Sequence, residues 1–98
     1  MEKKHYFLKL IARRPDFAQT MTDEERAVMQ KHVAYLKEYL DKGIMLIYGP
    51  VFDPAGAYGI GVMEVTDESE VRDLIANDPA AEINRYEFYP MRAVTKLS

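Results

Sequence analysis

Apolar and polar positions along the chain follow two different periods, and each change of period marks a new element. Residues 5–12 (HYFLKLIA) are dense in aromatic and branched side chains and stop at Arg13, Arg14 and Pro15, the composition of a strand followed by its loop. Further on, Val28, Met29, Val33, Tyr35, Leu36, Tyr39 and Leu40 keep a helical spacing. Ahead of them, Thr22 and Glu25 stand in the capping-box positions, where hydroxyl and carboxylate each satisfy a free backbone N–H of the other residue. Gly43 suits the left-handed position just past a helix end, and Lys42 sets a positive charge at the negative end of the dipole. The spacing therefore predicts a helix from residue 22 to about residue 42.

Residues 44–48 (IMLIY) form an apolar run too short for a helix and closed by Gly49-Pro50, which reads as a buried strand. Asp53-Pro54-Ala55-Gly56 has the residue preferences of a type I turn, so the strand before it and a third strand over residues 59–65 form a hairpin. Asp67 and Glu70 repeat the capping logic and open a second helix that passes Leu74 and Ile75 and ends near Asn77-Asp78-Pro79. Residues 85–94 form the last strand, where Pro90 calls for an edge or a bulge. The order β-α-β-β-α-β, with right-handed crossovers, predicts an α+β, ferredoxin-like fold with a four-stranded antiparallel sheet, as one domain over residues 1–98.

Two helices cover only one face of such a sheet. Alternation along the first strand places Tyr6, Leu8 and Leu10 on one face and Phe7 and Ile11 on the other; along the second it places Ile44, Leu46 and Tyr48 against Met45 and Ile47. Both faces are thus apolar, and a sheet with one wet face would alternate apolar and polar residues instead. The expected cover for the second face is another sheet, most simply from an identical chain, so a homodimer is expected, with Phe7, Ile11 and fourth-strand aromatics shielded.

At 98 residues, with 48% apolar and 30% charged residues, the chain has the balance of a globular domain with one core. The absence of cysteine removes disulfides, thiolate metal sites and cysteine nucleophiles together. A formal charge of −3 provides no broad positive field for a phosphate backbone, so nucleic acid is not an expected partner. No run nears the roughly 20 apolar residues that span a bilayer. Lys9 interrupts the first apolar run, which therefore does not read as a secretion signal, and the cytoplasm is the expected compartment.

Candidate chemistry centres on His32. At 100° per residue it falls inside the apolar stripe, between Leu36 and Tyr39, facing the sheet. It reads either as a core histidine held by one hydrogen bond or as a functional imidazole, and in both cases burial demands a partner. Asp78 is a candidate because both helices lie on the same sheet face, although Asp-Pro after a helix is also ordinary loop punctuation. His5, opening a strand, reads as a partly packed residue. Two distant histidines offer no metal-ligand spacing, so no metal is expected. The glycines at 56, 59 and 61 run opposite to the dinucleotide fingerprint and precede a strand, so turn flexibility is the expected reason for them. Arg13 and Arg14 read as a solvated basic turn, or as a holder of an anionic ligand.

In order along the chain, His32 with Tyr35-Leu36, Leu40 with Gly43, Gly49-Pro50 and Asn77-Asp78-Pro79 resemble the YciI-like (YCII-related) family over about residues 6–94. The resemblance implies a dimeric α/β barrel built from ferredoxin-like domains, and a His-Asp pair that falls on His32 and Asp78. It also implies a small cofactor-independent enzyme moving a proton on a small aromatic or cyclic substrate, in lyase or hydrolase chemistry. Arg14, Gly49 and Pro50 are then the candidate substrate-binding residues. A ligand-binding or accessory domain without turnover is the rival reading. The chain departs from many relatives after Asp-Pro, where Ala80 replaces an aromatic residue and no glycine follows before Asn84.

Overall fold

A computed structural model describes residues 2–96. The elements run β1 (Lys4–Ile11), α1 (Phe17–Thr20), α2 (Asp23–Asp41), β2 (Met45–Val51), β3 (Tyr58–Val65), α3 (Glu68–Asn77), a 3-10 turn (Pro79–Glu82) and β4 (Arg85–Met91). The sheet is four-stranded and antiparallel in the order β2-β3-β1-β4, the ferredoxin-like arrangement.

Local chemistry accounts for the boundaries. Both capping boxes form: the Glu25 N–H donates to Thr22 and the Thr22 N–H to Glu25, while at α3 Asp67 and Glu70 play the same parts. Gly43 closes α2 with φ of 76°, a conformation that favours glycine. Asp53 and Gly56 close the hairpin turn by a 2.9 Å backbone hydrogen bond, with Gly56 at φ of 144°. The two prolines inside strands, Pro50 and Pro90, sit on β2 and β4, the edges of the sheet, where a missing N–H is tolerated.

The structure adds the short α1 and the 3-10 turn to the expected elements and departs from the sequence expectations in four further places. Strand β2 continues through Gly49-Pro50 to Val51, because β3 starts early enough to pair Val51 with Tyr58. Strand β4 stops at Met91 rather than Val94, its pairing with β1 ending at the His5–Met91 pair, one residue short of the start of β1 at Lys4. A bulge between Met45 and Ile47 reverses the alternation, so that these two residues lie on opposite faces: Met45 is 1% exposed in the core and Ile47 is 57% exposed. Val33 of the apolar stripe is half exposed, leaving His32 and Leu36 as its buried centre.

Tyr6, Leu8, Met45, Met63 and Val65 on the sheet pack against Leu36 of α2 and Val71 and Leu74 of α3. On the opposite face the register lines up Ile47, Val62, Phe7 and Tyr89 as one row across all four strands. Among the described residues no helix is long and apolar enough to cross a membrane.

Candidate active site

His32 projects from the middle of α2, and its buried ring meets the C-terminal end of α3. Its Nδ1 lies 2.8 Å from Oδ2 and 3.0 Å from Oδ1 of Asp78. The Asp78 side chain is fully buried and the His32 side chain is 10% exposed. Asp78 stands here because the following proline disfavours further helix and holds it extended, with φ −76° and ψ 125°. It then caps the 3-10 turn, its Oδ1 accepting the Ala80 N–H at 2.9 Å. Loop punctuation and histidine partner are thus the same residue, served by a carboxylate with room for four acceptor contacts.

Tyr86 completes the cluster. Register places it opposite Leu10, on the helix-facing side of β4, and its hydroxyl donates to Asp78 Oδ2 at 2.5 Å. Burial first, and then the hydrogen bond to that carboxylate, push the Tyr86 phenol well above its ordinary value, so it remains a neutral donor. Nearby, the Tyr35 hydroxyl donates to the Leu74 carbonyl at 2.8 Å, and burial raises its phenol as well. No buried side-chain nitrogen or oxygen among the described residues is left without a partner. His32 Nε2 takes part in no hydrogen bond, and so it belongs to the small part of the ring that solvent reaches.

That ring opens onto a cavity of about 540 Å³ between α2, the α1 turn and the sheet, a size usual for small-molecule sites. Its floor is β3, where Gly59 and Gly61 face the helices opposite Leu10 and Leu8 and contribute no side chains. Neither has a left-handed backbone, so turn flexibility accounts for Gly56 alone; the other two create space. Phe17 and Met21 close one side, and Gly49 and Pro50 line the β2 edge. A one-turn helix such as α1 has no periodicity to read, and Tyr86 becomes adjacent to Asp78 only through strand register, so neither is visible in the sequence.

Arg14 is placed elsewhere. Its guanidinium makes a bidentate pair with the buried Glu25, at 2.7 and 2.9 Å, and donates to both the hydroxyl and the carbonyl of Thr20. Arg13 reaches the same carboxylate at 3.2 Å. The hydrogen bonds from Arg14, with those from Thr22 and Arg13, hold the Glu25 carboxyl far below the usual carboxylate range. The pair fastens α1 to the start of α2, and neither arginine lines the cavity. His5 lies on the other sheet face, with Nε2 3.0 Å from Glu64. Among the described residues no three His, Asp or Glu side chains converge on one point suited to a metal ion.

Two solved structures share the fold over most of the chain. One is the uncharacterised protein TM1266 from Thermotoga maritima, at 15% identity and a TM-score of 0.59, covering 93% of this chain and 100% of that one. The other is 5-chloro-2-hydroxyhydroquinone dehydrochlorinase (TftG) from Burkholderia phenoliruptrix AC1100 in complex with 2,5-dihydroxybenzoquinone. It is 20% identical, with a TM-score of 0.62, and the match covers 91% of this chain and 93% of that one. No curated protein matches. The model of the YCII-related domain matches residues 6–95, and the chain belongs to that family.

Proposed function

We propose that the protein is a small cofactor-independent enzyme that transfers a proton on a small aromatic or cyclic substrate, with His32 as the base and Asp78 as its orienting partner. The observation that carries this reading is a buried His-Asp pair at the rim of an otherwise apolar cavity. Asp78 accepts at Nδ1, so the neutral ring keeps its proton there and presents the Nε2 lone pair to the cavity. When Nε2 takes a proton, the carboxylate is already in place to stabilise the imidazolium. The dehydrochlorinase among the structural neighbours acts on an aromatic compound, which supports the substrate class.

The chemistry is tested by deuterium exchange from D2O into an enolisable ring ketone such as 2-tetralone, followed by NMR. Wild type is expected to accelerate exchange at the α-carbon above buffer, and His32→Ala and Asp78→Asn to lose the acceleration by about 100-fold or more. If no member of a panel of enolisable ring compounds exchanges faster with wild type than with His32→Ala, the proposal fails. One observation favours the rival reading of a binding domain without turnover. The Tyr48 and Tyr86 hydroxyls each give their one proton within the protein, so neither is free to donate to a developing oxyanion.

The proposed assembly is a homodimer joined through the open sheet face, whose central row Ile47, Val62, Phe7 and Tyr89 is apolar from edge to edge.

A further inference from the structure

We infer that the cavity selects an uncharged ring compound carrying a single proton-donating group, and rejects carboxylates and phosphates. The inference deepens the proton-transfer reading and rests on it only for the protonation state of His32.

The charge inventory of the wall decides the sign. Among the described residues no Lys, Arg, Asp or Glu lines the cavity. Arg14, the cation nearest in sequence to the α1 wall, is committed to Glu25 and Thr20, and Lys9 lies over the Tyr58 ring on the opposite sheet face. Asp78 pairs with His32 on the Nδ1 side, so the described wall holds no unpaired cationic side chain for an anion. A carboxylate entering this space would lose its water without gaining a counter-charge, which is costly.

The hydrogen-bond inventory decides the number and kind of polar groups. The Tyr48 hydroxyl donates to the Val33 carbonyl, and the Asn84 amide is held between the Arg13 N–H and the Met29 sulfur. The Tyr86 hydroxyl is spent on Asp78. His32 Nε2 is the ring nitrogen that Asp78 does not engage, and as the base of the proposed reaction it is the acceptor. A ligand with one O–H or acidic C–H directed at Nε2 satisfies the site. Most of the remaining wall is apolar side chain and the bare strand at Gly59 and Gly61, where a further hydroxyl would go without a partner.

Three bicyclic probes of one shape separate the terms: 2-naphthol, its methyl ether, and 2-naphthoate, titrated calorimetrically into wild type, His32→Ala and His32→Gln at neutral pH, with folding checked by circular dichroism. Wild type should bind 2-naphthol at least about tenfold more tightly than 2-naphthoate and about fivefold more tightly than the ether. In the folded His32 variants the preference over the ether should vanish while the ether still binds. Naphthoate binding as well as naphthol, a naphthol preference that survives in the His32 variants, or no binding of any probe at millimolar concentration would each overturn the inference. The readout involves no turnover. Failure of the ligand order with intact 2-tetralone exchange removes this inference alone, and the expected order without exchange removes the enzymatic reading alone.

Discussion

The Tyr86 hydroxyl donates to Oδ2 of Asp78 across 2.5 Å, and the same oxygen lies 2.8 Å from Nδ1 of His32. One carboxylate oxygen thus joins β4 to α2, and with the Ala80 contact on Oδ1 the Asp78 side chain has no freedom to rotate.

Removing that hydroxyl isolates its effect from the rest of the fold. Tyr86→Phe keeps the ring on the helix-facing side of β4 and deletes a hydrogen bond to a buried carboxylate, so stability should fall by about 2 kcal/mol. Under the proposed chemistry, Tyr86 is a positioning residue. The exchange rate should fall about tenfold with little change in the affinity for 2-naphthol, since the hydroxyl gives its proton to Asp78. Loss of affinity in proportion to rate would assign Tyr86 to binding instead.

The bare floor of the cavity gives a second expectation. A Cβ built on Gly59 meets only Leu10 at 3.5 Å, an ordinary contact, whereas one on Gly61 would come within 3.0 Å of the Met45 sulfur. Gly59→Val should therefore fold with a melting temperature within a few degrees of wild type, a branched side chain being favoured in a strand, while losing about tenfold or more in affinity for 2-naphthol. Gly61→Ala forces Met45 to shift and should cost about 1 kcal/mol. Unimpaired naphthol binding by folded Gly59→Val would place the ligand elsewhere.

What the sequence reveals and what it hides divide along a physical line. Capping at Thr22–Glu25 and Asp67–Glu70, the Gly43 helix end and the Asp53–Gly56 turn involve residues within four positions of each other, so local chemistry exposes them. His32 is visible as a polar interruption of an apolar stripe. The partners Tyr86, Gly59 and Gly61 are not, because each acquires its meaning from register across three strands. The bulge at Leu46 is a one-residue insertion that reverses every later side chain on β2, and nothing in a uniformly apolar run marks where it falls.

Acid should reveal the clamp at the start of α2. The Glu25 carboxyl ordinarily titrates near 4.5, and in the folded chain its hydrogen bonds from Arg14, Thr22 and Arg13 lower it strongly. Folding therefore disfavours the proton. The stabilisation is complete above 4.5 and is lost as the pH drops below that value toward the folded one. Asp67 and Glu70 are lowered by their own caps and act in the same direction. Glu25→Gln should lower the melting temperature at neutral pH and flatten, without abolishing, its decline between about pH 5 and pH 3. An unchanged acid slope would show that the ion pair contributes nothing to folding.

The open sheet face carries the last expectation. Phe7 pairs with Val62 on one side and Tyr89 on the other, and Val62 pairs with Ile47, so these four form a continuous apolar row. Ile47 and Tyr89 remain 57% and 53% exposed in the single chain. Polar groups flank the row: His5 with Glu64 toward one end, Lys9 and Glu87 toward the other. That arrangement, apolar at the centre and polar at the rim, is the anatomy of a protein interface. A self-complementary contact of this kind gives a closed dimer, so light scattering at micromolar concentration should return twice the chain mass of 11.3 kDa. Phe7→Glu buries a charge without a partner at the middle of the row in each subunit, and should shift the equilibrium to monomer by about 100-fold or more. His32 and Asp78 lie on the other side of the sheet, so in a folded Phe7→Glu monomer their contact should persist and 2-naphthol should still bind. A wild-type monomer mass under these conditions would leave the apolar row uncovered and remove the homodimer from the proposal.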